Sequence, residues 1–262
     1  MTELTFLKLQ TQNWITQLTL SRPPVNAINR QVVDELNSAL DSIQGQIDTG
    51  ATRVLVIGAE GAHFSAGTDM KERQQIPADR LEMVVNEVRN TFLRIYHLSI
   101  PVIAVLHGSA LGSGLELALA ADLRVLANDA KVGLPEAGLA IIPAAGGTQY
   151  LPRLIGYSKA LFWLASGKIF TALEAFEAGV ADFLVKKDEL SQFCHEMATT
   201  IARNGPLAVR SVKQVVREGL RLSLPKGLDI EKKYFREIIA SEDRIEGMEA
   251  FIDKRMPHYR GR

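Results

Sequence analysis

Two short runs constrain this chain's fold more than any other feature. Arg53-Val-Leu-Val-Ile-Gly58 and Pro101-Val-Ile-Ala-Val-Leu-His107 are apolar at almost every position. Strand side chains point alternately to opposite faces. A strand that is apolar throughout is therefore covered on both faces, as in a parallel sheet between helices. The flanking pattern agrees. Val32, Val33, Leu36, Leu40 and Ile43 recur at helical spacing before the first run. Residues 59–72 read as a loop entering a helix, and 80–97 carry another helical pattern. After the second run come a helix beginning near Gly112 and short strands at 123–127 and 132–134. Thr5 to Leu9 and Trp14 to Ser21 alternate apolar and polar residues around Thr11-Gln-Asn13, which predicts a β-hairpin. Arg22-Pro-Pro-Val-Asn-Ala-Ile28 ends it in a proline-rich loop. Strand and helix alternate, so the expected class is α/β with parallel pairing.

Beyond Pro143 the texture changes. From about residue 157 the chain reads as mainly helical, with strand-like content only near 181–185. Gly179 and Gly205-Pro206 read as helix ends. The expected organisation is an α/β core over residues 1–195 and a helical region over 196–262. No low-complexity linker or short-period repeat intervenes.

Charge and cysteine content narrow the function classes. The 262 residues include 30 Lys and Arg against 30 Asp and Glu, so the formal net charge is zero. Nothing global steers the chain toward nucleic acid or anionic lipid. The basic residues Arg80, Arg89 and Arg94 share their helix with Asp79, Glu82 and Glu87, so no basic stripe suited to RNA forms. Cys194 is the single cysteine, which leaves neither an internal disulfide nor a thiol metal cluster. Ordinary helix packing is its expected role. The five histidines share no metal-ligand spacing, so no metal site is expected. No apolar run is long enough to cross a bilayer. No signal-peptide pattern precedes the first strand either, and a cytoplasmic protein is the expectation.

The chemistry concentrates in three segments. Gly108-Ser-Ala-Leu-Gly-Ser-Gly114 leads from a strand into a helix carrying Glu116 among small and apolar neighbours. Glycines there let a ligand approach the backbone and leave N–H groups free at the helix start, where negative charge is favoured. The glycine spacing is not that of a dinucleotide site, and close helix–strand packing is the alternative reading. Glu136 follows in Lys131-Val-Gly-Leu-Pro-Glu-Ala-Gly138, again in an apolar setting. Two carboxylates in such settings suggest acid/base chemistry beside an oxyanion site. His63-Phe-Ser-Ala-Gly-Thr-Asp-Met-Lys-Glu72 offers a second backbone donor; alternatively Asp69 is an N-cap with Lys71 and Glu72 on a solvated face. Gly146-Gly147 is either an anion cradle or a tight turn. Ser65 and Ser113 lack the histidine partner of a serine-hydrolase elbow.

Taken together, these segments resemble the crotonase (enoyl-CoA hydratase/isomerase) superfamily over essentially the whole chain. Phe64–Glu72 is similar to the family's first oxyanion segment, and Gly108–Ala118 to its second. Leu134-Pro-Glu-Ala-Gly-Leu139 with Ile142-Pro-Ala-Ala-Gly-Gly-Thr-Gln149 is similar to its third motif, and Ser241–Arg255 to its C-terminal helix. The resemblance implies a spiral of ββα units with a helical C-terminal trimerisation region. It implies that the backbone N–H groups of Thr68 and Ser113 bind a thioester carbonyl oxygen; the family often has glycine at the latter position. Glu116 and Glu136 occupy both positions that hydratases of this family use, whereas isomerases often keep one. The implied activity is therefore enoyl-CoA hydration, with isomerisation or a specialised acyl-CoA dehydration (carnitinyl-CoA or methylglutaconyl-CoA type) as the alternative. A non-catalytic RNA-binding relative is the alternative from another class. The implied acyl carrier is coenzyme A, with no tightly bound cofactor. The loop Pro24, Val25, Asn26 and the segment Ala66, Gly67, Asp69, Met70, Lys71 would border its groove with Gly112. Residues between Lys71 and Thr91 would line the acyl-tail pocket. Phe251 and Lys254 would complete the groove of a neighbouring subunit in a homotrimer or hexamer.

Overall fold

The computed structural model describes residues 4–262. The first two strands, β1 (Leu7–Gln12) and β2 (Ile15–Leu20), form the expected hairpin. Its turn lies at Asn13-Trp14 rather than Thr11–Asn13, because both of those residues take positive φ, 50° and 65°. That is the geometry a two-residue hairpin turn demands. Helix α1 (Arg30–Asp48) then runs to β3 (Val54–Ala59). The short α2 (Met70–Arg73) and long α3 (Ala78–His97) lead to β4 (Val102–Leu106). Next come β5 (Ser109–Leu111), α4 (Ser113–Leu119), β6 (Leu123–Ala127) and β7 (Lys131–Gly133). A 3-10 turn spans Pro135–Leu139. The chain continues through α5 (Gly147–Ile155), α6 (Tyr157–Ser166), β8 (Ile169–Thr171), α7 (Ala172–Ala178) and β9 (Phe183–Val185). Helices α8 (Leu190–Ala202), α9 (Pro206–Gly219), α10 (Leu224–Ile239) and α11 (Glu242–Ile252) complete it.

The larger sheet has the order β1-β2-β3-β4-β6-β9, and every pairing after the hairpin is parallel. One face is covered by the amphipathic α1, which buries Val32, Val33, Leu36, Ala39, Leu40, Ile43 and Ile47, together with α3. Each fully buried aliphatic side chain contributes about 1.5–3 kcal/mol. On the other face Ile15, Val54, Ile103 and Val125 pack against Leu190, Cys194 and Ala198 of α8. Burial pushes the Cys194 thiol up to about 12, so it is a packing residue. Residue 195 therefore lies inside a helix that covers the sheet, and the core runs on to Ala202, where the sequence pattern placed a boundary at 195.

The second sheet, β5-β7-β8, was not expected as a unit. Each of its strands has three residues, too few for a period-2 pattern, and Ile169–Thr171 lies in the stretch read as helical. Helix α9 is fastened to the core by one carboxylate. Asp122 accepts from Lys213 Nζ (2.6 Å), Arg217 Nη2 (2.8 Å) and the Val102 N–H (2.8 Å). The chain end is held similarly: Asp243 accepts from the Arg260 and Gly261 N–H groups at 2.6 and 2.8 Å. Among the described residues no helix is long and apolar enough to cross a membrane.

Candidate active site

Two isolated parallel bridges build the site. Ser65 pairs with Ala110 and Ile28 with Thr68. The second bridge uses the Gly67 carbonyl and the Asp69 N–H, at 2.8 and 2.9 Å. In a parallel pair the residue between those groups turns its own N–H away, so the Thr68 N–H has no acceptor among the described residues. Ser113 opens α4, where first-turn N–H groups lack intrahelical partners, and its N–H is likewise unpaired. Gly67, at φ 91°, packs so tightly that an added Cβ would meet the Leu111 carbonyl oxygen at 2.6 Å and the Ser113 nitrogen at 3.4 Å. The two free donors thus converge on one place. Their side chains also meet, Thr68 Oγ1 and Ser113 Oγ lying 3.0 Å apart.

The glutamates approach from the other side. Every residue of α4 is buried, and Glu116 is 2% exposed. Its Oε1 accepts from the Ala145 and Gly147 N–H groups, both at 2.8 Å. The tandem glycine is therefore a cradle for an anion, and the anion is the protein's own carboxylate. Burial pushes Glu116 up to about 7; the Gly147 N–H opposes that shift, the charge of Glu136 adds to it, and the Ala145 N–H opposes it. Glu136 is half-buried on the 3-10 turn. Its Oε2 is buried without a hydrogen-bond partner among the described residues, a costly state for a carboxylate unless a ligand or water fills it. Burial raises Glu136 above the usual carboxylate range, partly offset by its own N–H and by the charge of Arg73. Its Oε1 stands where a Cβ on Gly112 would come within 2.8 Å, and Gly112 has φ 52° and ψ −127°. Only glycine meets both demands.

One cleft of about 1100 Å³ joins these groups. Ala66, Gly67, Thr68, Asp69, Met70, Gly112, Ser113, Glu116 and Glu136 all line it, as do Ile76, Leu81, Val84, Val85 and Val88 from the segment between Lys71 and Thr91. Asp69 also caps α2 and pairs with Arg22 Nη2 at 2.7 Å, which holds its carboxyl below the usual range. The remaining expected contacts lie outside the cleft lining. The Asn26 side chain is committed inward, accepting from the Arg22 N–H and donating to the carbonyls of Glu60 and His63. The Val25 carbonyl accepts from the Ala66 N–H at 2.9 Å, so this loop shapes the wall; Pro24 beside it is exposed. Lys71 and Lys254 are exposed, and Phe251 is 82% exposed. Sequence reasoning did not anticipate the Ala145 N–H, Arg73, or Arg89, whose Nε donates to the Ala144 carbonyl at 2.7 Å beside the Glu116 cradle.

The arrangement offers two unpaired backbone N–H groups, which could polarise a carbonyl oxygen, beside two carboxyls whose burial favours their protonated forms. The family profile for enoyl-CoA hydratase/isomerase matches residues 10–262. A protein of Arabidopsis thaliana named "Probable enoyl-CoA hydratase 2, mitochondrial" is 40% identical over 248 residues, covering 94% of this chain and 82% of that protein. The mitochondrial methylglutaconyl-CoA hydratase of Mus musculus is 36% identical over 240 residues, 90% of this chain and 76% of its own length. The crystal structure of an enoyl-CoA hydratase from Bacillus anthracis superposes with a TM-score of 0.94 at 37% identity, covering 98% of this chain and 100% of that one. Convergent free donors, a paired carboxylate cleft and these likenesses agree: the chain belongs to the enoyl-CoA hydratase/isomerase family.

Proposed function

We infer that the chain is an enoyl-CoA hydratase, a hydro-lyase adding water reversibly across the α,β-double bond of an acyl-CoA thioester. One observation carries this reading: two carboxyls, both shifted upward by burial, face the cleft that holds the unpaired Thr68 and Ser113 N–H groups. The thioester oxygen accepts from those two N–H groups, and negative charge grows there as water attacks the β-carbon. Each such donor is worth roughly 3 kcal/mol in comparable sites. Glu116 takes the proton of the attacking water, and Glu136 delivers one to the α-carbon. The forming C–O and C–H bonds consume the π bond, so the pair ends with the proton count it began with.

The pair needs one proton at working pH, and burial provides it. With that proton on Glu136 the site is set for hydration; with it on Glu116 it is set for dehydration. The apparent pKa values therefore belong to the pair. Burial pushes Glu116 up to about 7 and also raises Glu136 above the usual carboxylate range.

Coenzyme A enters past the Ala66–Lys71 segment, with Lys71 available to its phosphates. Leu220, Leu224 and Phe251 expose 83%, 76% and 82% of their surface along the C-terminal helices. So much apolar surface favours burial between subunits, and a trimer or hexamer brings Phe251 and Lys254 to a neighbour's groove. Light scattering then gives three or six times the 28.8 kDa chain mass.

The deciding experiment follows loss of enoyl absorbance from crotonyl-CoA with wild type, Glu116→Gln and Glu136→Gln. Fast wild-type turnover and a fall of about 100-fold or more in each variant is the expected result, as for removal of acid/base groups. An inert wild type that still binds CoA thioesters moves the activity to another branch of the family.

A further inference from the structure

The turn that holds Glu116 is itself held from another element. Ala144, Ala145 and Gly146 form that turn, between the Glu136 segment and α5. Arg89 of α3 donates through Nε to the Ala144 carbonyl at 2.7 Å. Its Nη1 donates to Asn86 Oδ1, also at 2.7 Å. Asn86 and Arg89 are neighbours on one face of the helix, so the guanidinium is oriented although the residue is exposed. Among the described residues no backbone N–H donates to the Ala144 carbonyl.

The peptide that Arg89 reaches gives the contact a meaning. The Ala144 carbonyl and the Ala145 N–H are the two ends of one planar peptide unit. That N–H donates to Glu116 Oε1 at 2.8 Å. One peptide therefore stands between a guanidinium at its oxygen and a carboxyl at its hydrogen. The two ends point opposite ways, so both contacts lie along the peptide dipole. A cation at the oxygen strengthens the N–H as a donor, because linked hydrogen bonds polarise one another. It also fixes the plane, since turning the N–H off Glu116 would turn the carbonyl off Arg89. The second donor to Glu116 shows the same need met locally. The Gly147 N–H shares its peptide with the Gly146 carbonyl, which accepts from the Gln149 and Tyr150 N–H groups, both at 2.8 Å. The first turn of α5 thus anchors one of the two peptides, and Arg89 anchors the other. The electrostatics agree. Burial pushes Glu116 up and the Glu136 charge adds to that, while the two N–H groups and the Arg89 charge oppose it. From α5, Tyr150 feels the Glu116 charge as well.

We propose that Arg89 is a positioning residue of the active site: it clamps and polarises the Ala144–Ala145 peptide, so that Glu116 keeps the orientation needed to accept a proton from water. The assignment rests on the hydratase reading above and deepens it. Arg89 is not part of the cleft lining, so it acts through Glu116.

The test replaces Arg89 by Met and by Lys and follows crotonyl-CoA hydration across pH. Arg89→Met should lower kcat by about 10-fold, the order expected on losing a hydrogen bond from a charged group. KM should stay within about twofold, since no substrate contact is removed. Without the cation ionised Glu116 is less stabilised. The limb of the kcat/KM profile that reports the glutamate pair should then rise by about half a pH unit, the pull of an exposed charge. Arg89→Lys keeps the cation and a donor and should recover most of the rate and of the limb position. Wild-type kcat in Arg89→Met, a loss of rate with the limb unmoved, or an Arg89→Lys as impaired as Arg89→Met overturns the proposal. Urea unfolding gives a reading that needs no turnover. At pH 8, above the value of about 7 for Glu116, Arg89→Met should destabilise wild type more than it destabilises Glu116→Gln. At pH 5, with Glu116 protonated, the two losses should match. Should wild type hydrate no enoyl-CoA, the hydratase reading fails and this coupling decides the clamp alone. Its presence at pH 8 sustains the clamp, and equal losses at both pH values refute it.

Discussion

Glu116 and Glu136 reach the same cleft from two differently built regions. Glu116 stands on a helix whose every residue is buried, and two backbone N–H groups fix one of its oxygens. Glu136 stands on a 3-10 turn with no buried residue, and one of its oxygens has no partner among the described residues. The first region spends its backbone donors on holding a carboxylate in one orientation. The second leaves an oxygen for whatever enters the cleft. A pair built this way keeps a fixed proton-exchanging group next to one that completes its hydrogen bonding only with substrate or water. The same difference explains the glycines: Gly147 exists to approach Glu116, and Gly112 to leave room for Glu136.

The sharpest way to break the comparison is to remove each carboxyl in turn. Glu116→Gln and Glu136→Gln should each lower kcat by about 100-fold or more. Their combination should cost far less than the product of the two losses, because they act as a unit. Retained activity in either single variant would make the two regions unequal in chemistry as well as in build. Next comes Gly112→Ala, measured with the same assay. The new methyl group would meet Glu136 Oε1 at 2.8 Å in a backbone conformation that only glycine tolerates. Displacement of the loosely held carboxylate by about 1 Å should cost on the order of 100-fold in kcat.

A third prediction separates the regions by pH. Glu116 rises from 4.5 in the unfolded chain to about 7 in the folded one. Between those values the folded state binds the extra proton. Its contribution to stability is complete below pH 4.5 and is lost as pH rises through 7, at most about 3 kcal/mol. Urea unfolding at pH 5 and pH 8 should show wild type losing that much relative to Glu116→Gln. No pH-dependent difference between the two would place Glu116 in a more polar setting than its burial implies. The smallest expected effect belongs to Ser113→Ala, which keeps the N–H and removes the 3.0 Å hydroxyl contact with Thr68. One neutral hydrogen bond is worth about 1 kcal/mol, so kcat should change by about fivefold or less. A larger loss would make the Ser113 hydroxyl a third donor to the thioester oxygen.

Much of this was legible in the residues. The apolar runs at 53–58 and 101–107 became β3 and β4, and the helical spacing from Val32 to Ile43 became the buried face of α1. These patterns survive because burial on one or both faces writes directly into side-chain polarity at a fixed period. The three-residue strands β5 and β8 left no such mark, and the place of α8 on the sheet could not be read from its own amphipathic spacing. Asp69 was readable as a helix cap because capping is local. The Gly146-Gly147 pair was ambiguous because its partner, Glu116, is some thirty positions away in the chain.

The sequence by itself determined the α/β class, the two glutamates in apolar settings and the glycine-led helix start, since each depends on neighbours within a few residues. Only the tertiary structure decided that the Thr68 and Ser113 N–H groups converge, that Glu116 is held by Ala145 and Gly147, and that Arg73 lines the cleft with no partner among the described residues. Those facts depend on which distant backbone groups are already satisfied, and hydrogen-bond satisfaction is a property of the assembled chain rather than of any segment within it.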